Sequence, residues 1–212
     1  MLLQIPVQGF FAVNAYVYAD DSTMRGFLVD PGAEAERLLD IIADKNLVIE
    51  RILLTHGHFD HLGAADALRK ALGVPIGMAL EGRAYAEDPW RNLSAQCGSA
   101  ITLEDVDYFD ASQRPLLTAG TCRLMAVPVP GHSPDSVLYR ALDEDLAFVG
   151  DTIFRGSVGT SQFPGGDAQQ LRASLVREIL PLPGQTVLYS GHSEATTVAR
   201  EKATLQALAA RV

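Results

Sequence analysis

The sequence predicts an α+β fold in which two packed, mixed β-sheets are flanked by helices. Two observations predict it. Short apolar runs bounded by Gly, Pro or Asp fall into two groups, before and after an irregular middle stretch. Patterns of helical period lie beside each group and alternate with the strands only in places. At 212 residues, with no linker or low-complexity tract, the chain reads as one domain spanning 1–212.

The elements follow in order. Leu2–Val7, Ala12–Tyr18 and Gly26–Val29 read as strands, joined by turn chemistry at Gln8-Gly9 and Asp20-Asp21-Ser22 and closed by Pro31-Gly32. Ala35–Lys45 places Leu38, Leu39, Ile41 and Ile42 at helical spacing. Arg51–Thr55 is a strand, Leu62–Leu72 a helix closed by Gly73, and Val74–Met78 the next strand. The stretch 81–114 mixes Gly, Pro, Trp90, Ser and acids without a clean period. It reads as a loop-rich or partly helical excursion over the surface, of the kind that often shapes a binding site. Strands then fall near Pro115–Leu117, Cys122–Val129, Ser136–Arg140 and Leu146–Val149. Ala168–Leu180 is helical, Thr186–Ser190 a strand, and Thr197–Ala210 a last amphipathic helix.

Composition narrows the function classes. A net charge of −9 argues against a nucleic-acid partner, because phosphate backbones need clustered Lys and Arg. Cys97 and Cys122 have no C-x-x-C spacing and support neither a disulfide framework nor a thiolate zinc site. The N-terminus lacks the basic and long apolar regions of a signal peptide, and no apolar run reaches the ~18 residues of a membrane span. A cytoplasmic protein acting on a small-molecule substrate, away from membranes, is the expectation; the oligomeric state is not legible.

The chemistry concentrates in Thr55–Gly63, Thr-His-Gly-His-Phe-Asp-His-Leu-Gly, directly after the apolar Ile52-Leu53-Leu54. His56, His58, Asp60 and His61 are types that ligate zinc and similar divalent ions, and so many in one tight loop are hard to explain as packing. The chain has five histidines; the other two, His132 and His192, sit in matching Gly-His-Ser settings after strand-like runs. Asp151, in Val149-Gly150-Asp151-Thr152, also follows a strand. Singly, each of the last three would read as a core histidine or a turn residue. Strand ends can deliver distant residues to one point, and the Gly beside each lets the backbone turn tightly. Seven ligands exceed one tetrahedral site and suit two divalent ions sharing a carboxylate and a bridging water. Zinc heads the candidates, and a mixed His/Asp set also admits iron or manganese.

His-x-His-x-Asp-His, a lone Gly-His, a Gly-Asp and a late Gly-His, in that order across residues 56–192, resemble the metallo-β-lactamase superfamily. The nearest branch is glyoxalase II-like, the short-form relatives of hydroxyacylglutathione hydrolase. Gly131–Pro134, Gly150–Phe154, Gly191–Thr197 and Glu201-Lys202 resemble its signatures. The resemblance implies an αββα sandwich with metals at one edge of the sheets. It implies one metal on His56, His58 and His132, a second on Asp60, His61 and His192, and Asp151 bridging them. The expected activity is thioester or ester hydrolysis by a metal-bridging hydroxide, with Asp60 as the catalytic residue that orients the nucleophile or passes its proton to the leaving group.

The chain departs from that branch where glutathione is held. Full-length members carry a C-terminal helical domain, and here about twenty residues follow His192. They place Lys or Arg after the glycine matching Gly159, where this chain has Thr160; Gln162 replaces a frequent Asp, and Pro134-Asp135 the usual Pro-Gly. The metal chemistry is retained and the substrate contacts are not, so substrate-binding residues stay unassigned. Arg155 and Arg83 are the basic residues that could stand in. Tyr85 and Trp90 read as local packing. The glycine-rich 155–162 stretch has no Walker pattern and reads as a loop beside the metals. Two other activities fit the motifs: a mononuclear-iron persulfide dioxygenase on His56, His132 and Asp151, and a lactonase or β-lactam hydrolase. Exported β-lactamases, which commonly place cysteine where Asp151 stands, fit less well.

Overall fold

In the computed structural model, which describes residues 1–209, the chain forms two six-stranded sheets and one small hairpin. Leu2–Gln8 (β1), Ala12–Ala19 (β2) and Arg25–Val29 (β3) make an antiparallel meander through the two expected turns. The helix Ala35–Asp44 (α1) returns the chain so that Val48–Leu53 (β4) lies parallel to β3. Phe59–Leu62 (α2) and Ala65–Leu72 (α3) lead to Ile76–Ala79 (β5), again parallel. A turn of helix at Arg83–Ala86 (α4) follows, and Val106–Phe109 (β6) completes the first sheet beside β5.

The second sheet starts with the antiparallel run Leu116–Ala119 (β7), Cys122–Pro128 (β8), Val137–Ala141 (β9) and Leu146–Gly150 (β10). A hairpin of Ile153–Phe154 (β11) and Ser157–Val158 (β12) leads to the helix Ala168–Ser174 (α5). Val187–Ser190 (β13) then pairs parallel to β10, with Thr196–Thr197 (β14) at the sheet edge and Val198–Ala209 (α6) last. The end of the expected last helix, Ala210, lies outside the described residues.

Neighbouring strand residues feed different layers, as period-two alternation requires. Leu28, Ile52 and Leu54 pack outward with Leu38 and Ile42 of α1 and Leu68 of α3. Phe27, Val29 and Leu53 pack inward against Tyr139, Phe148 and Leu124 of the second sheet. On that sheet Leu138, Ala147 and Val149 face outward to Leu171, Ile179 and Leu205. Three apolar layers between helix, sheet, sheet and helix make the αββα sandwich.

Three expectations are corrected. The stretch 81–114 supplies strand β6; its acids mask the pattern because Asp107 lies at an edge, ion-paired to Arg51 at 2.6 Å. The helix expected from Leu62 begins at Phe59 and breaks at Gly63-Ala64, where the Ala64 amide bonds the Pro31 carbonyl (2.9 Å). The helix expected to Leu180 ends in a wide π turn over Leu175–Ile179, with the Leu180 amide bonding the Leu175 carbonyl at 2.9 Å.

Candidate metal centre

The ends of β4, β8, β10 and β13 meet at one edge of the sandwich and bring all seven expected ligands together in three overlapping groups. His58 Nδ1 lies 3.1 Å from His56 Nε2 and 3.0 Å from His132 Nε2. In the second group His192 Nε2 lies 3.1 Å from Asp60 Oδ2. Asp151 spans the groups: Oδ1 is 3.3 Å from His61 Nε2, and Oδ2 is 3.3 Å from His192 Nε2 and 3.8 Å from His132 Nε2. His56, His58, His61 and His132 are buried, so the edge is a lined recess rather than a solvated loop.

Hydrogen bonds behind the rings fix which nitrogen faces the recess. His132 Nδ1 bonds the Thr160 carbonyl (2.7 Å) and His192 Nδ1 the Ala12 carbonyl (2.6 Å), so each Nδ1 donates and Nε2 points inward. The Thr55 hydroxyl donates to Asp30 (2.7 Å), which leaves its oxygen to accept from His56 Nδ1 at 3.2 Å. Asp30 also sits 3.0 Å from His61 Nδ1 and accepts the Thr55 amide at 2.8 Å. Sequence reasoning missed Asp30, hidden in an Asp-Pro-Gly that reads as a turn. It also missed Asn14, whose side-chain amide donates to the Ser190 and Ser193 carbonyls at 3.0 and 2.9 Å and clamps the His192 loop onto the first sheet. A polar residue inside the apolar run Ala12–Tyr18 was the available signal.

The glycines beside the ligands do two different jobs. Gly131 and Gly150 take positive φ, 137° and 48°, as tight turns require. Gly191 is there for space: a Cβ would overlap Asp151 Oδ1 and His61.

A match to the metallo-beta-lactamase superfamily spans residues 8–192. The chain belongs to that superfamily. Hydroxyacylglutathione hydrolase GloC of Haemophilus influenzae is 30% identical over 93% of each chain. Among solved structures, BLEG-1, described as a B3 metallo-beta-lactamase, is 37% identical, with TM-score 0.91 over 98% of this chain and 99% of its own. TTHA1623, solved in a di-iron-bound form, is 34% identical, with TM-score 0.81 over 93% and 96%. At the level of class the protein is therefore a metal-dependent hydrolase of the metallo-beta-lactamase superfamily, and its His/Asp cluster suits divalent ions.

Electrostatics and unmet hydrogen bonds agree with that class. Burial, then the neighbouring imidazoles, push His56 well below the usual histidine range and His58 to about 3; burial also lowers His132. Three neutral rings therefore face one point, with His56 Nε2 and His132 Nε2 unprotonated. In the other group burial opposes charging, yet Asp151 and Asp30 hold His61 well above its ordinary value, and Asp151 and Asp60 raise His192 to about 10. Burial alone would raise the Asp60 and Asp151 carboxyls; the facing histidines outweigh it and lower both. His58 Nε2, His61 Nε2 and Asp151 Oδ1 are buried without a hydrogen bond. His61 Nε2 and Asp151 Oδ1, 3.3 Å apart, fit a shared cation better than they fit each other, whereas His58 turns its other nitrogen, Nδ1, to the recess.

The recess opens into a cavity of about 370 Å³ whose lining includes His58, Asp60, His132, Asp151 and His192. Neither expected stand-in cation lines it. Arg155 pairs with Glu194, and the Arg83 guanidinium lies 4.5 Å over the Tyr108 ring. Tyr85 is buried as expected; Trp90 is not packed but 66% exposed. Leu93, from the irregular 81–114 stretch, lines the cavity. No helix among the described residues is long and apolar enough to cross a membrane.

Proposed function

We propose that the protein hydrolyses thioester or related ester bonds of a small molecule with two divalent ions, zinc first among them. The convergence of seven potential ligands in three groups linked through His56 and His61, with Asp151 in the middle one and at the lining of a cavity, carries this reading. His56, His58 and His132 would hold one ion, Asp60, His61 and His192 the other, with Asp151 between. Bound there, such ions supply Lewis acidity toward a carbonyl and a water of lowered pKa. The likeness to GloC supports a thioester as the bond cleaved.

The chain's own residues do the rest. The bonds from His132 and His192 to backbone carbonyls hold both rings in the tautomer that presents Nε2. Asp60 lines the cavity, and its carboxyl is held low by His192, so it stands there as the base. Its tasks are to orient the attacking water and to carry the proton to the leaving group. A thiolate leaving group makes light demands on the second task.

Elemental analysis of the purified protein, with turnover on a thioester panel that includes S-lactoylglutathione, tests this reading. About two metal ions per chain with thioester turnover is the expected result. A single iron with oxygen uptake on a glutathione persulfide would overturn it. An Asp60→Asn protein loaded with both metals should lose about a hundredfold in kcat; full turnover with both metals bound would remove the second role of Asp60. A β-lactam belongs in the same panel, because the likeness to BLEG-1 favours that second reading.

A further inference from the structure

Phe11, Phe59, Leu93, Phe154 and Phe163 make most of the cavity wall beside the candidate ligands. They flank the centre on both sides. The Phe163 ring meets His58 and His132 edge-on, with centroids 5.3 and 6.0 Å apart, and Phe154 meets His192 at 6.2 Å. Phe11 packs 6.0 Å from Phe59, with Phe10 against both. Phe11 and Phe163 are 50% and 41% exposed, so the mouth of the cavity presents aromatic surface to water. Aromatic surface gathered at one opening marks a place where an apolar group is bound.

The polar side of the lining is equally specific. None of the described residues lining the cavity is Lys or Arg, and apart from histidines its charged groups are Asp60 and Asp151. Thr160 contributes its carbonyl to His132 and an uncharged hydroxyl. A ligand carboxylate away from the centre would find no cation there, and burying it unpaired is costly.

We propose that the cavity takes a substrate that is apolar and uncharged on both sides of the scissile carbonyl, with an aromatic-sized group against Phe163, rather than a glutathione conjugate. This rests on the hydrolase reading above and sharpens it. Hydrolysis of such a thioester puts the hydroxyl of water on the acyl carbon and its proton on sulfur, releasing a carboxylic acid and a thiol with no redox partner.

Binding and turnover test the two readings separately on the metal-loaded protein. In the binding arm, calorimetry compares S-benzyl-N-acetylcysteamine, S-methyl-N-acetylcysteamine and S-benzylglutathione. The benzyl thioether should bind roughly tenfold or more tighter than the methyl one. The glutathione arm should add no affinity. Phe163→Ala should erase most of the benzyl gain, and Thr160→Lys should tighten S-benzylglutathione selectively. A tenfold preference for S-benzylglutathione over the neutral benzyl thioether, or no gain from benzyl, would overturn the inference. In the turnover arm the phenylacetyl thioesters of N-acetylcysteamine and glutathione are compared, and the neutral one should have the higher kcat/KM. No hydrolysis of either, with the binding preference intact, would overturn the thioesterase reading alone. Tenfold faster hydrolysis of the glutathione thioester would overturn the inference alone.

Discussion

Asp30 shows how much of the site rests on a residue that does not line the cavity. Its carboxylate meets His61 Nδ1, the Thr55 hydroxyl and the Thr55 amide. Asp30→Asn keeps the shape and removes the charge, and the expected loss is about 10–100-fold in metal affinity, read by competition with a chelator. Unchanged affinity would mean that packing alone orients His61. Asp135 carries a different cost. It is buried with no hydrogen bond to either oxygen; Ser133 and the Gly57 backbone lie close enough to relieve the burial only in part. Burial pushes its carboxyl up to about 6, above the ordinary value. Its contribution to stability is therefore full below about pH 4 and is lost as pH rises through 6, a swing on the order of 3 kcal/mol. Asp135→Asn should be more stable relative to the parent at pH 8 than at pH 4, by most of that swing in denaturant unfolding. A pH-independent difference would rule this out. At this scale the histidines were legible because few residue types cluster as they do. Asp30 and Asn14 were not, since Asp before Pro-Gly and one Asn in a strand have ordinary local explanations.

At the scale of elements, strand ends mattered more than strands. The meander β1–β3 and the run β7–β10 could be read from alternation and turn residues, and their bounds moved by a residue or two. Strand β6 was hidden by edge acids, and the break between α2 and α3 by a bond from Ala64 to Pro31, a partner far off in sequence. Long-range partners of this kind leave no local period to detect. The end of β13 offers the sharpest test, because Gly191 leaves room for Asp151 and His61 to approach. Gly191→Ala should weaken metal binding at least tenfold while the far-ultraviolet circular dichroism stays that of the parent. Parent-like affinity would show that the strand end can shift to accept a methyl group.

For the whole molecule, the two sheets share one centre. Residues up to Phe109 build the first sheet and residues from Leu116 the second, and each proposed metal draws ligands from both. Stripping the metals should lower the thermal midpoint by several degrees with little change in helix and strand content, as expected for a ligand that binds only the folded state. Reloading between pH 7 and 9 should release protons, because His192 is raised to about 10 without metal and must give up its proton to ligate. Calorimetry in buffers of different ionisation enthalpy reads that release, and none at all would contradict the assignment of His192. The general architecture was legible at this scale because apolar runs fell into two groups. The apolar character of the cavity was not, since Phe11, Phe59, Leu93, Phe154 and Phe163 come from five separate segments.

The clamp from Asn14 to the His192 loop has a consequence for how the protein is made. A ribosome delivers His56, His58, Asp60 and His61 early, before the ligands of the second sheet exist. The second sheet, with His132 and Asp151, emerges later, and the strand bearing Asn14 must wait for Ser190 and Ser193 before it can close on them. The proposed ligand set is therefore complete only when the loop bearing His192 has docked on the first sheet.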